Sequence, residues 1–198
     1  MRPTLTLVVV AKSHEELAAF QLEHVRGSVD ELILLANPDA RFGGTGALGN
    51  HALDHGRSDV IGLAHADAIL GPGALDAFAL GAMAGAVTGM VGRAVTGDYV
   101  WCRDVMAAQD VSTLDSCSFF VKRSTPVRFD VRNFDNFHCC IEDFCLAAAV
   151  IGTPTRVMPA AGCDHLGTNW QKPDWMIDYW RYRALLSQKW AGFDFKTT

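Results

Sequence analysis

At 198 residues, 49% of them apolar and 20% charged, the chain has material for one folded domain with a substantial core and lacks the bias of a disordered or fibrous sequence. A net charge of −5 gives no general support for nucleic-acid binding, and no apolar run reaches the roughly eighteen residues of a membrane span. The start, Met1-Arg2-Pro3-Thr4, enters an apolar run too soon for a signal peptide, and adjacent Cys139-Cys140 among six cysteines speak for reduced thiols, so a cytoplasmic protein is expected.

Leu5 to Val10 is an unbroken β-rich run, the pattern of a strand covered on both faces. Ser13 with Glu16 is a capping box; it opens a helix that carries Leu17, Ala18, Phe20 and Val25 and closes at Gly27. Leu32 to Leu35 reads as a second buried strand, turned by Ala36-Asn37-Pro38-Asp39. A glycine-rich loop, Phe42 to Gly46, precedes a short helix through Ala47, Asn50 and Leu53. A third strand, Asp59 to Ala64, surfaces at His65-Ala66-Asp67 before the tight turn Gly71-Pro72-Gly73. This alternation predicts a parallel, helix-covered sheet, in which ligands sit beyond the carboxyl ends of the strands. Ala11-Lys12, Ala36-Asn37 and His65-Asp67 then converge on one crevice.

The second half changes character. Ala74 to Ala84 is a small-residue helix, and Val87 to Val95 and Tyr99 to Trp101 read as strands around Gly97-Asp98. Leu114-Asp115 leads into Phe119 to Lys122, an edge or antiparallel strand. Ile141 to Val150 is a helix ending at Gly152, and Thr155 to Met158 is a late strand. The last segment, Trp175 to Trp190, has helical spacing at Trp175, Tyr179, Tyr182 and Leu186, a stripe suited to core packing or to a homodimer face.

An imidazole and a carboxylate one residue apart at a strand end suit Mn²⁺ or Mg²⁺ held against a diphosphate; the plain alternative for His65 and Asp67 is a polar strand end before a turn. A zinc site from Cys139, Cys145, Cys163 and His165 lacks the short paired cysteine spacing such sites use. Glu142 and Asp143 project about a hundred degrees apart on their helix, so the two carboxylates do not face one substrate together, and Asp143 is equally a helix N-terminal carboxylate favoured by the macrodipole. Trp101 is suited to stacking on a sugar face or to burial as an indole.

In order and spacing these segments resemble glycosyltransferases of the GT-A fold, particularly the large inverting group called family 2, over almost the whole chain. Val8-Val9-Val10 with Ser13 to Leu17 resembles the first strand and its nucleotide-facing helix start, and Asn50 matches an asparagine before the metal strand. Asp59-Val60-Ile61 through His65-Ala66-Asp67, with Gly71 to Leu75, resembles the Asp-x-Asp region and the turn behind it. Leu114 to Cys117 with Phe119 to Arg123 resembles the acceptor-side strand. Arg128-Phe129-Asp130, Phe137-His138 and Glu142 to Leu146 with Gly152 resemble the catalytic segment and its helix. Asp164 to Gly167 resembles the late histidine segment, and Lys189-Trp190 closes an aromatic helix. The chain departs from the family at His65, an acidic position in most relatives, at Ala36, where relatives often place an aspartate, and at Cys140 and Ile141, where many carry an acidic pair.

The resemblance implies an α/β fold, a GT-A (Rossmann-like) three-layer sandwich with a mostly parallel central sheet and a small antiparallel acceptor-side sheet. Residues 1–70 would form a nucleotide-binding half, 71–172 an acceptor and catalytic half, and 173–198 the aromatic helix. It implies a metal-dependent inverting glycosyltransferase that moves a sugar from a nucleotide diphosphate sugar to an acceptor hydroxyl. The acceptor is left open among a glycan, a protein, a small molecule, a lipid-linked sugar and a modified nucleic-acid base. Asp67 and His165 are the expected metal ligands, with His65 either a further ligand or a contact to phosphate or ribose. Ala11, Lys12, Asn37, Asn50 and Ala66 are expected at the nucleotide sugar, and Trp101, Asp115 and His138 on the acceptor side. Asp143 is the expected general base, with Glu142 the alternative. A second reading, a catalytically inactive sugar-nucleotide-binding or interaction module, is permitted by Ala36, Cys140 and Ile141. A nucleotidyltransferase of the same topology would want glycines after the first strand, and Ala11-Lys12-Ser13-His14 has none.

Overall fold

The apolar run Leu5–Ala11 forms β1, buried along its whole length. The computed structural model describes residues 2–18, 20, 25, 27–36, 42–136, 138–167 and 173–196. A parallel strand flanks β1 on each side, which is why the run carries no polar face. β2 (Glu31–Ala36) pairs with it from Thr6↔Glu31 to Ala11↔Ala36, and β3 (Val60–His65) from Leu5↔Val60 to Val10↔His65. The three carboxyl ends finish level, at Ala11, Ala36 and His65. The one polar residue inside β1, Thr6, is satisfied by hydroxyl contacts of 2.8 Å to the Glu31 carboxylate and 2.9 Å to Ser58 Oγ.

The links between these strands are helical. At α1 (His14–Ala18) Ser13 Oγ accepts the Glu16 N–H at 3.1 Å, and the Glu16 carboxylate reaches back to the Lys12 N–H at 2.5 Å. The capping box is thus realised, one residue earlier than usual on its return bond. α2 (Thr45–His55) leads to β3. β2 differs from expectation: it borders β1 alone, and Leu34 is 40% exposed, so it is an edge strand covered mainly on one face.

After β3 come β4 (Ala68–Ile69), α3 (Ala74–Met83), β5 (Val87–Gly89), β6 (Val91–Arg93), β7 (Tyr99–Trp101), β8 (Gln109–Asp110), β9 (Thr113–Leu114) and β10 (Ser118–Lys122). α4 (Cys140–Val150), β11 (Thr155–Val157), β12 (Asp164–His165) and α5 (Pro173–Lys189) complete the chain. The central sheet has the order β2-β1-β3-β10-β5-β11-β8, mostly parallel, with β10 and β8 running against the rest. A small antiparallel sheet, β7-β6-β9, stands apart from it.

The stretch Val87 to Val95, expected as one strand, divides at Met90. β5 stays in the central sheet and β6 leaves for the small one. Ser118 Oγ accepts the Met90 N–H at 2.8 Å and the Met90 carbonyl accepts the Cys102 N–H at 2.8 Å, so the break strands no backbone group. β10 is antiparallel, as expected, but lies inside the sheet between β3 and β5.

Aromatic packing fixes the helices. Phe78 of α3 meets Phe120 of β10 at 5.1 Å between ring centroids, on the side where Gly62 carries no Cβ that would overlap the ring. Phe119, Phe129 and Phe144 form a second cluster with centroids 4.6 to 5.4 Å apart, which joins α4 to β10. Each such ring contributes roughly 1.5–3 kcal/mol on burial. In α5 the stripe predicted from spacing is partly internal: Tyr182 and Leu186 are buried and Tyr179 half-buried, while Ile177 and Trp180 are exposed. The side chain of Trp175 lies outside the described residues. Among the described residues no helix is long and apolar enough to cross a membrane.

Candidate functional site

β3 ends at His65, still paired with Val10, and the chain then turns through Ala66 and Asp67 into β4. Only four hydrogen-bonded residues make the next sheet, with His165 opposite Ala68 and Asp164 opposite Ile69. The Leu166 N–H closes this ladder on the Asp67 carbonyl at 3.0 Å. The ladder carries a distant histidine to the strand end: His165 Nε2 lies 3.2 Å from Asp67 Oδ1. The His65 and His165 rings are 6.0 Å apart, and one ligand atom from each of His65, Asp67 and His165 falls within 4.8 Å of the others.

All three side chains are half-buried, which suits a site open on one side. Burial pushes the Asp67 carboxyl up, but the hydrogen bond and charge of His165 with His65 nearby bring it below its ordinary value. Burial pushes His165 down, and its bond to Asp67 with the charge of Asp115 raises it overall. Burial lowers His65. Two imidazoles and a carboxylate are a donor set for a borderline or hard divalent ion, so the residues fit the metal that the sequence led us to expect.

Two further groups adjoin this triad. Asp115 and Cys117 bring ligand atoms within 4.8 Å of one another and of His165. Trp101 of β7 stacks under the Arg103 guanidinium at 4.3 Å, and Arg103 Nη1 bonds Asp164 Oδ1 at 2.8 Å. Trp101 and Asp115, both expected on the acceptor side, therefore adjoin the His65–Asp67–His165 cluster, one through Arg103 and Asp164 and the other beside His165.

Asp143 lies elsewhere in character. α4 starts from Cys139, whose φ of 58° is the one positive value outside glycine among the described residues. Asp143, in the first turn, is 1% exposed and Glu142 4%. Lys189 Nζ stands 2.8 Å from Asp143 Oδ1 and 2.9 Å from Oδ2, and the Trp190 indole N–H donates to Oδ1 at 2.8 Å. Lys189 also reaches Asp130 Oδ2 at 2.8 Å, so one ammonium bridges two carboxylates. Burial raises the Asp143 carboxyl above its ordinary value despite the Lys189 and Trp190 bonds. Asp130, where burial raises the carboxyl but Lys189 and Asn133 hold it down, falls to about 2.

His138 is buried beside the rings of Tyr179 and Tyr182, with centroids 6.0 and 6.1 Å away, and burial lowers it to about 4. Ala11 and Ala66 are buried at the ends of the strands, and the Ala66 N–H bonds the Val10 carbonyl at 2.8 Å. Lys12 is exposed just past β1. Asn50 spends its carboxamide on the Phe129 backbone, donating to the carbonyl at 2.9 Å and accepting the N–H at 2.8 Å, which staples α2 to the loop before α4. Asn37 and Phe137 lie outside the described residues.

The set Cys139, Cys145, Cys163 and His165 does not assemble: all six cysteines are buried thiols outside any disulfide, and these four do not form a cluster of donors within metal-binding reach among the described residues. Sequence reading missed Cys117 beside His165 and Arg103 beside Asp164. The signal for Cys117 was its place two residues after Asp115, just before β10.

No protein-family model matches the chain, and no curated protein matches it by sequence. Solved structures do. The chain is similar to S. aureus TarS with a TM-score of 0.53 at 13% identity, covering 98% of this chain and 40% of that one. It is similar to TarS 1-349 with a TM-score of 0.52 at 12% identity (98% of this chain, 67% of that one). TarS 1-349 in complex with UDP gives 0.50 at 13% identity, with 96% and 67% covered. The chain thus spans 40% of the longer TarS chain. At these identities the likeness establishes the fold alone, a Rossmann-like α/β arrangement.

Proposed function

We propose that the protein is a glycosyltransferase that takes a sugar from a nucleotide diphosphate donor and passes it, with inversion, to an acceptor hydroxyl. The observation that carries this reading is the Asp67–His165 pair at 3.2 Å, beside His65, at the carboxyl ends of parallel strands in a TarS-like fold. A relative of that fold binds UDP, which supports a uridine nucleotide as the first donor base to try.

In this reading His65, Asp67 and His165 hold Mn²⁺ or Mg²⁺, and two imidazoles favour the former. A cation there supplies Lewis-acid neutralisation of the departing diphosphate. The backbone at Ala11, Lys12 and Ala66 borders the nucleotide. Trp101, Asp115 and His138 orient the acceptor, with His138 neutral because burial lowers it. Asp143 accepts the acceptor proton as the oxygen attacks the anomeric carbon on the face opposite the leaving group. Its burial favours a basic carboxylate. For the proton to arrive, the hydroxyl must replace Lys189 or Trp190 as a partner of the Asp143 carboxylate.

That occupancy of Asp143 also favours the second reading, a module that binds sugar nucleotides without turnover. One assay separates the two. A panel of nucleotide sugars with Mn²⁺, followed for nucleoside diphosphate release and for donor binding, gives release and binding for an enzyme and binding alone for the module. Neither binding nor release with any donor overturns the proposal.

A further inference from the structure

We infer that Asp115, Cys117 and His165 form a second, thiophilic metal seat that takes Zn²⁺ and competes with the first seat for His165. Their ligand atoms lie within 4.8 Å of one another. Tetrahedral zinc bound to sulfur, nitrogen and oxygen draws its ligands to about 3.3–3.8 Å apart, so closure asks for shifts of about an ångström.

The cysteine is already placed for this. Its N–H donates to Asp115 Oδ1 at 2.9 Å, and its carbonyl accepts the His65 N–H at 3.0 Å. The Asp115 N–H is in turn held by the Val91 carbonyl at 2.9 Å. The side chains of this seat thus hang from a backbone anchored to β3 and β6, while His165 arrives from β12. Cys117 itself is fully buried, and the half-buried Asp115 and His165 give the ion its way in. On binding, the thiol proton leaves to solvent and a sulfur–zinc bond forms, with no change of oxidation state.

Sulfur changes the selectivity. The His65–Asp67–His165 seat has only nitrogen and oxygen donors and suits ions that also accept diphosphate oxygens. A thiolate draws zinc in preference to manganese or magnesium. A neutral imidazole has one free lone pair, so His165 serves one seat at a time. Zinc at the second seat therefore takes a ligand from the first. The competitive part of the inference rests on the proposed cation site; the zinc affinity does not.

The experiment uses the metal-stripped full chain and Co²⁺ as a spectroscopic probe. A sulfur-to-cobalt charge-transfer band is expected in the wild type, bleached by Zn²⁺, and lost in Cys117→Ser. Cys117→Ser and Asp115→Asn should each weaken Zn²⁺ by at least the roughly tenfold that even an outer-shell change costs. In wild type, Zn²⁺ should release bound Mn²⁺, read by its paramagnetic resonance signal; because zinc also outcompetes manganese at a nitrogen and oxygen seat, Cys117→Ser should still release it but need roughly tenfold more Zn²⁺ to do so. Absence of the cobalt band, or Cys117→Ser binding Zn²⁺ as tightly as wild type, overturns the seat. Should Cys117→Ser fail to fold, the wild-type cobalt spectrum and Asp115→Asn decide. If Mn²⁺ does not bind at all while the cobalt band is present, the cation of the proposed function is what fails.

Discussion

Trp190 donates its indole N–H to Asp143 Oδ1 at 2.8 Å across 47 positions of sequence, and Lys189 beside it holds the same carboxylate. The end of the last helix and the start of α4 are thereby one unit. Removing either partner of a buried charged hydrogen bond leaves the other in low dielectric, which costs more than the bond itself contributed.

Asp143→Asn is expected to lower sugar transfer by about 10²- to 10⁴-fold, the usual worth of a positioned base. UDP affinity measured by calorimetry should stay at the wild-type value. Undiminished transfer would remove Asp143 from the reaction.

Lys189→Met should cost about 1–3 kcal/mol in urea unfolding, because Asp143 is 1% exposed and loses its cation, keeping the neutral Trp190 indole N–H as a donor. Lys122→Met, on an exposed end of β10, is the control and should change stability by less than about 0.5 kcal/mol. Equal stabilities of the two variants would mean the bridge contributes nothing.

Acid should act through Asp130. Its folded pKa of about 2 lies below the unfolded value of about 3.9. Its contribution is therefore present above pH 4 or so and is lost as pH falls toward about 2. Asp143 is shifted the other way by burial, so its ionisation works against the folded state above its unfolded value. Comparing wild type with Asp130→Asn isolates the first effect: the stability gap between them should narrow as pH falls through that window, and a constant gap refutes the assignment.

Asp67→Asn should weaken Mn²⁺ binding by roughly tenfold or more and remove the Mn²⁺ dependence of UDP binding, both readable by calorimetry. Metal-independent UDP binding in the wild type would sink the cation assignment.

Gly62→Ala is expected to destabilise the fold by about 1–3 kcal/mol, since the new Cβ would overlap the buried Phe120 ring. Denaturant unfolding measures it, and an unchanged midpoint would show that β3 and α3 adjust at no cost.

How far the sequence foretold this depended on the range of the interactions. β1 and β3 were legible because buried parallel strands are continuous apolar runs. β2 has a similar run but only one neighbour, and edge position leaves no trace in periodicity. The division at Met90 was illegible because Ser118, far along the chain, supplies the acceptor that makes it affordable. β4 and β12 have two residues each and so carry no period at all; His165 was anticipated beside Asp67 only through family resemblance. The Lys189–Trp190 hold on Asp143 and the closeness of Cys117 to His165 are tertiary facts with no local signature.

The four-residue ladder of β4 and β12 has a further bearing on how this chain can change. Asp67 and His165 are tied by main-chain bonds over a gap of 98 positions, so their separation does not depend on what the intervening chain does. Loops between them can lengthen, shorten or be replaced while the carboxylate and the imidazole keep their spacing.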